Sequence, residues 1–176
     1  MARTVVVVVG PGAGASDNDI QSAFRLGRQI AREGWVLVTG GRAAGVMDSV
    51  NKGAIAARQA GEGDSANCVT IGILPTEDTP GLSDAVDVPI VTGMGSGRNN
   101  INALTGDVMI ACGMGLGTAS EVALALKVGK KVILLGGSPE GREFFIGMGA
   151  QPVSEAEEAI EAAKMYLGRT GPGGRG

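Results

Sequence analysis

The stretch Thr4-Val-Val-Val-Val-Val9-Gly10-Pro-Gly-Ala-Gly-Ala15 joins a β-branched run directly to a glycine-rich turn. Ser16 follows as a helix N-cap, and apolar residues then recur at helical spacing as far as Gly34, which suits the position just after a helix. A strand, a tight turn and a helix in this order form the first half of a βαβ unit. Because the run is continuously apolar, we expect a strand that is covered on both faces, as in a parallel sheet.

The same alternation continues along the chain. Further apolar runs predict strands at residues 36–39, 69–74, 87–91, 108–111 and 131–135, in addition to 4–9. Helical patterns lie between them, and Ser154-Glu-Ala-Glu157 is predicted to form the capping box of a last helix. This order predicts an α/β fold with a Rossmann-like, doubly wound parallel sheet. We expect a single domain over residues 1–167 and a disordered glycine-rich tail over 168–176, which has no core-forming residue.

Composition excludes several classes of function. The 176 residues include no His, which excludes His-based acid–base catalysis and His metal ligands, and Cys68 and Cys112 lack the spacing of a zinc site. A net charge of −3 and an aromatic content of 3% argue against nucleic-acid binding. No apolar stretch reaches the roughly 18 residues of a membrane span, and the start of the chain lacks the pattern of a signal peptide. We therefore expect a cytoplasmic protein without a metal site or a membrane association.

Glycine is over-represented, at 31 residues, roughly 18% against an average of about 7%. The glycines cluster after four predicted strands, at Gly10, Gly12 and Gly14, at Gly40, Gly41 and Gly45, at Gly93, Gly95 and Gly97, and at Gly113, Gly115 and Gly117. The carboxyl edge of a parallel sheet is where α/β proteins bind ligands, and the helix N-termini there suit phosphate. The clusters therefore predict a binding site for a phosphate-bearing ligand.

Two nucleotide motifs are not fulfilled. Residues 10–15 formally fit the dinucleotide pattern G-x-G-x-x-A, but Thr39-Gly-Gly-Arg42 ends the second strand without the carboxylate that would bind a ribose. The sequence also lacks GxxxxGK[ST]. Both observations disfavour NAD and P-loop nucleotide chemistry.

Polar residues follow the third of these glycine clusters, at Gly97-Arg98-Asn99-Asn100-Ile-Asn102. Arg98 offers a planar donor fork to an anion, and Asn99 and Asn102 offer amides to a heterocycle edge or to hydroxyls. Asparagines are poor helix formers, which favours a binding role over a merely solvated helix face.

The last glycine cluster continues as Gly115-Leu-Gly117-Thr118-Ala-Ser-Glu121. Thr118 and Glu121 have the spacing of a capping box. Alternatively, Glu121 faces the ligand site and Arg98, because it begins a helix that is apolar on nearly all sides. The two roles are compatible.

The motif Gly-x-Gly-Thr118-x-x-Glu121, with an arginine upstream, resembles the LOG-like family, often labelled "lysine decarboxylase-like", over essentially the whole chain to Leu167. Its founding members are nucleoside 5′-monophosphate phosphoribohydrolases. The wider set of motifs, at residues 9–12, 34–36, 39–41, 45–48, 72–75, 97–100 and 117–121, is similar to the molybdenum cofactor carrier subgroup. That resemblance implies six or seven strands, a homodimer or homotetramer, the molybdenum cofactor as bound ligand, and transient molybdoenzyme partners.

The chain departs from the hydrolase pattern. Gly113-Met114 stands in place of the Pro-Gly of those enzymes, and Asn99 in place of their lysine. We therefore prefer a carrier of a pyranopterin monophosphate to an enzyme. The alternative is a hydrolase of nucleoside monophosphates, in which Glu121 stabilises the transition state and Arg98 positions the phosphate. The predicted ligand-binding residues are Gly10, Gly12, Gly40, Gly41, Arg98, Asn99, Asn102, Gly115, Gly117, Thr118 and Glu121.

The helix predicted over residues 119–128 carries a run of apolar residues from Val122 to Leu126. One sheet face cannot cover a helix that is apolar on nearly all sides. We therefore expect a homo-oligomer, at least a dimer, with this helix in the interface.

Overall fold

The sheet is the centre of the molecule. The computed structural model, which describes residues 3–169, contains one parallel sheet of seven strands in the order β4-β3-β2-β1-β5-β6-β7. The strands are β1 Val5–Val9, β2 Val36–Thr39, β3 Val69–Leu74, β4 Val88–Val91, β5 Val108–Cys112, β6 Lys131–Leu135 and β7 Gln151–Val153. The predicted doubly wound, Rossmann-like α/β fold is confirmed.

Within residues 3–169, six α-helices cover the two faces of this sheet. They are α1 Asp17–Arg32, α2 Gly45–Gln59, α3 Arg98–Thr105, α4 Leu116–Lys127, α5 Pro139–Gly147 and α6 Ala156–Arg169. One core packs α1, α2 and α6 against Val6 and Val8, and the other packs α3, α4 and α5 against Val7 and Val9. Successive side chains of a strand point to opposite faces, so the valine run of β1 supplies both cores.

The ends of α1 form as the sequence predicts. The Ser16 hydroxyl accepts a hydrogen bond of 3.1 Å from the backbone N–H of Asp19, and the Asp19 carboxylate accepts one from the backbone N–H of Ser16. Gly34, with φ of 67°, lies just beyond the helix in the left-handed region that favours glycine. These local signals place α1 directly behind the turn at residues 10–15.

Two predictions near the end of the chain need correction. β7 was absent from the predicted strands, because it is three residues long and contains Pro152. The backbone N–H of Ser154 donates to the Glu158 carboxylate (2.8 Å), not to Glu157 as predicted, because α6 begins at Ala156.

The predicted domain boundary lies close to the end of the described chain. α6 continues through Gly168 and Arg169, two residues that we predicted to belong to the tail. Residues 170–176 of the predicted tail lie outside the described residues. Between residues 3 and 169 no helix has the length and apolar character needed to cross a membrane.

Candidate functional site

A cavity of about 400 Å³ opens at the carboxyl edge of the sheet. Its walls are the turns after β1 and β2, the first residues of α3, and the first turns of α4. Here the chain reverses its direction across the sheet, because β2, β3 and β4 lie on one side of β1 and β5 lies on the other. Ligands of open α/β sheets bind at such a switch point.

Nine of the predicted ligand-binding residues line this cavity, namely Gly10, Gly12, Gly40, Arg98, Asn99, Gly115, Gly117, Thr118 and Glu121. Gly41 and Asn102 do not line it. Gly41 has φ of 71° and packs against the backbone of Gly72, and Asn102 is buried behind Glu121. The turn at Gly93, Gly95 and Gly97 also lies outside the lining, so three of the four glycine clusters meet at the cavity.

The lining also includes residues that sequence reasoning missed, among them Pro11, Arg42, Met47 and Leu116. Arg42 directly follows Gly40 and Gly41, so its position beside a predicted binding turn was the available signal. Leu116 is the first residue of α4 and is 95% exposed. Leu116 lines the cavity because α4 begins at this residue, and the sequence did not predict that start.

The Arg98 guanidinium is hydrogen-bonded to backbone carbonyls at the carboxyl ends of β2 and β3. Its Nη1 donates hydrogen bonds to the carbonyl oxygens of Gly40 (2.6 Å) and Ile73. A Cβ on residue 40 would collide with the Arg98 guanidinium and would lie 2.6 Å from Sδ of Met47, so any other residue here would displace both side chains. Burial lowers the pKa of Arg98, while the nearby Glu121 carboxylate opposes the shift and Arg42 adds to it. The guanidinium is thus a positioned cation in the wall of the cavity.

The side chain of Glu121 is buried and accepts a hydrogen bond from a residue of α3. Nδ2 of Asn102 donates a hydrogen bond of 2.6 Å to its Oε1. Burial raises the pKa of Glu121, and the hydrogen bond from Asn102 and the charge of Arg98 oppose that shift. The capping-box interpretation of Thr118 and Glu121 is wrong, because α4 already begins at Leu116 with Gly115 as its N-cap. The alternative, in which Glu121 faces the cavity that Arg98 also lines, agrees with the structure.

The N-terminus of α4 forms the part of the cavity best suited to an anion. The first helical hydrogen bond runs from the N–H of Ala119 to the carbonyl of Gly115 (2.8 Å), so the preceding N–H groups, at residues 116–118, have no acceptor within the helix. The buried hydroxyl of Thr118 also has no hydrogen-bond partner among the described residues. Unpaired donors and the positive end of a helix dipole attract an anion.

The described part of the chain has no cluster of three or more acidic, Cys or His side chains that could hold a metal ion. Cys68 and Cys112 are both buried. Burial raises the pKa of the Cys68 thiol to about 11 and that of Cys112 to about 12, so neither is a thiolate near neutral pH. The chemistry of the site therefore rests on backbone donors, two arginines, amides and one carboxyl group.

Comparison with known proteins identifies relatives along nearly the whole chain. The structure of the molybdenum cofactor binding protein of Rippkaea orientalis is 48% identical, covers 95% of this chain and 99% of its own, and superimposes with a TM-score of 0.87. The molybdenum cofactor carrier protein of Chlamydomonas reinhardtii is 46% identical, with coverages of 95% and 99% and a TM-score of 0.85. An uncharacterized protein of Archaeoglobus fulgidus is 39% identical over 125 residues, which are 70% of this chain and 76% of that protein.

These matches confirm the resemblance to the molybdenum cofactor carrier subgroup. The model of the SLOG cluster4 family matches residues 3–166. The chain belongs to the SLOG cluster4 family.

Proposed function

We propose that this protein binds the molybdenum cofactor in the cavity at the sheet edge and carries it without chemical change. The observation that carries the proposal is the 45–48% identity, over 95–96% of the chain, to structures of molybdenum cofactor binding and carrier proteins. The anion-binding character of the cavity supports it independently, because the cofactor is a phosphate monoester.

The start of α4 would hold the phosphate of the cofactor. The N–H groups of Leu116, Gly117 and Thr118 and the unpaired Thr118 hydroxyl are the donors, and Arg98 supplies a positive charge from the start of the neighbouring helix α3. At residues 10, 12 and 40 the cavity is lined by glycine, so a ring can approach the backbone there. Asn99 contributes an amide at the rim, although its Nδ2 also donates to the Ser120 hydroxyl (2.8 Å).

A carrier requires affinity without turnover, and the residues of the cavity agree with that requirement. Among the described residues, Glu121 is the one acidic side chain in the lining. Hydrolysis of a glycosidic bond ordinarily employs two carboxyl groups, one as acid and one as base or nucleophile. The sequence contains no histidine that could replace the second group.

The second candidate is hydrolysis of the base–ribose bond of a nucleoside monophosphate. One observation favours it, namely that the Glu121 carboxyl group and the Arg98 guanidinium line one cavity. In that case Glu121 would stabilise an oxocarbenium-like transition state and Arg98 would position the phosphate.

Two measurements on the purified protein separate these functions. Ligand released from protein purified under anaerobic conditions is identified by mass spectrometry and by the fluorescence of the oxidised pterin, and the protein is incubated with AMP to detect free adenine. We expect an oxidised pterin from the protein and no appreciable adenine. Glu121→Gln serves as the control, because it retains a hydrogen-bonding group of the same size. A carrier should keep its affinity in this variant, whereas robust release of adenine that Glu121→Gln abolishes would establish the hydrolase.

We also propose that the protein assembles with further copies of itself through α4 and α5. Val122 and Ala125 of α4 are fully buried against the sheet, but Ala123 and Leu126 line a second, apolar cavity of about 330 Å³ on the outer surface. Phe144 and Met148, which complete this surface, are 65% and 60% exposed. A second copy of the chain would bury this surface. We further propose that apo-molybdoenzymes are the transient partners that receive the cofactor.

A further inference from the structure

Arg42 lines the main cavity with a guanidinium that makes no hydrogen bond and no ion pair within residues 3–169. Four other arginines are neutralised by carboxylates, Arg25 by Glu155, Arg28 and Arg32 by Glu62, and Arg58 by Asp87. Arg42 therefore presents an uncompensated charge to whatever occupies the cavity.

The backbone around Arg42 is fixed from outside the cavity. The N–H of Ala43 donates to the carbonyl of Gly81 (2.7 Å), and the N–H of Ser83 donates to the carbonyl of Gly41 (2.9 Å). Arg42 itself forms an antiparallel bridge with Leu82. Because these bonds hold the turn in place, only the side chain has to be ordered when a ligand binds, which lowers the entropic cost of that contact.

The charges around Arg42 favour an anion. Arg98 lies near enough for the charge of Arg42 to lower its pKa, although burial is the larger cause of that shift. Glu121 is the acidic side chain of the cavity, and burial raises its pKa. Two guanidinium groups thus face one carboxyl group in a protein whose net charge is −3. An anion near Arg42 would relieve the repulsion between the two arginines.

Arg42 and the start of α4 approach the cavity from two different strands. Arg42 follows β2 and α4 follows β5, and these strands flank β1 on opposite sides. Neighbouring strands are about 4.8 Å apart, so the two strand ends lie on the order of 10 Å from each other. The unpaired guanidinium and the free N–H groups of α4 therefore enter the cavity from opposite sides of β1, and a ligand with two anionic groups can engage both.

We propose that Arg42 is a specificity-determining residue that binds a second anionic group of the ligand, separate from the phosphate at the start of α4. The assignment rests on the proposed function. The molybdenum cofactor carries an anionic molybdenum–oxo centre on its dithiolene sulfurs in addition to its phosphate, whereas AMP carries only a phosphate. Arg42 thus selects ligands with two anionic groups over simple nucleoside monophosphates.

The test compares ligands that carry one or two anionic groups. Dissociation constants are measured by calorimetry for the molybdenum cofactor and AMP, and for fructose 1,6-bisphosphate and fructose 6-phosphate as simple probes. The variants are Arg42→Gln, which removes the charge, and Arg42→Lys, which retains it. Arg25→Gln is the matched control, because it removes one positive charge from an exposed pair outside the cavity.

We expect Arg42→Gln to weaken binding of the molybdenum cofactor and of the bisphosphate at least tenfold, while affinity for AMP and the monophosphate changes less than twofold. Arg42→Lys should retain most of the preference, and Arg25→Gln should change neither class. Equal losses for both ligand classes, or no loss in Arg42→Gln, would overturn the assignment. The affinity of the unmodified protein for the cofactor tests the proposed function separately, and the bisphosphate pair tests Arg42 even if that affinity is absent.

Discussion

The amide of Asn102 on α3 donates a hydrogen bond of 2.6 Å to the carboxyl group of Glu121 on α4, and both side chains are buried. This bond joins the two helices whose first residues contribute Arg98 and Thr118 to the cavity. Asn102 lies outside the cavity lining and is connected to it through Glu121. We predicted that Asn102 contacts the ligand, and its buried position leads us to expect that it positions Glu121 instead.

Asn102→Ala should destabilise the fold. It leaves the buried Glu121 carboxyl group without its hydrogen-bond donor, which costs about 1–3 kcal/mol of unfolding free energy. Asn100→Ala is the control, because Asn100 lies exposed on the same helix, and such a change stays within about 0.5 kcal/mol. Urea denaturation of both variants measures the difference. Equal stability of the two variants would contradict a structural role for the Asn102 bond.

The contribution of Glu121 to the unfolding free energy should decline as the pH rises. Burial raises the pKa of this carboxyl group in the folded state above its ordinary value of 4.5. The folded state therefore binds more protons than the unfolded state between these two pKa values, and the unfolding free energy falls as the pH rises through that window. Glu121→Gln has no titrating group at this position, so its stability should change less over the same range. Urea denaturation in steps from pH 4 upward tests this, and parallel curves for the two proteins would refute it.

Arg98→Ala should weaken both ligand binding and the fold. Loss of charge-assisted hydrogen bonds to the ligand phosphate costs about 1.5–3 kcal/mol, or roughly 10- to 150-fold in affinity. The same change leaves the carbonyls of Gly40 and Ile73 without their donor, so the unfolding free energy should also fall. Arg98→Lys retains the charge but lacks the planar fork, and we expect intermediate affinity. Calorimetric titration with the molybdenum cofactor and urea denaturation measure the two effects. Lower stability with unchanged affinity would restrict Arg98 to a structural role.

Gly40→Ala should displace Arg98 without removing its charge. A methyl group on residue 40 would collide with the Arg98 guanidinium and with Met47, so affinity for the cofactor should fall together with thermal stability. Gly14→Ala is the matched control, since Gly14 lines the same cavity and a Cβ there would meet no atom within 4 Å. Thermal denaturation and cofactor titration compare the two variants. A Gly40→Ala protein that binds like Gly14→Ala would show that the position of Arg98 is unimportant.

Phe144→Glu should dissociate the proposed oligomer. A charge at this 65% exposed position of the apolar surface on α4 and α5 cannot be buried against a second copy without a large desolvation cost. Met165→Glu, at a 58% exposed position of α6 on the other face of the sheet, is the control. Light scattering at micromolar concentration should give an oligomer for the unmodified protein and for Met165→Glu, and a monomer for Phe144→Glu. A monomeric unmodified protein would remove the proposal.

Local sequence patterns were enough to predict the architecture of the fold. The valine run of β1, the Ser16 cap and Gly34 act through neighbours in the sequence, so the sequence alone predicts β1 and α1 closely. The alternation of such units determines a parallel doubly wound sheet, and the glycine clusters place a ligand site at its carboxyl edge. The three-residue β7 was missed because its pairing with β6, rather than its own composition, makes it a strand.

The sequence by itself determined the fold class, the edge of the sheet at which the candidate site lies, and most residue types at that edge. Only the tertiary structure decided how they act. In the tertiary structure the Arg98 guanidinium donates hydrogen bonds to the carbonyls of Gly40 and Ile73. Asn102 donates a hydrogen bond to Glu121, and Arg42 lies in the wall of the cavity. Each of these relationships joins residues on different elements, and the distance between them follows from strand order and helix packing. Periodicity and caps are properties of one segment, so they cannot specify such contacts between segments.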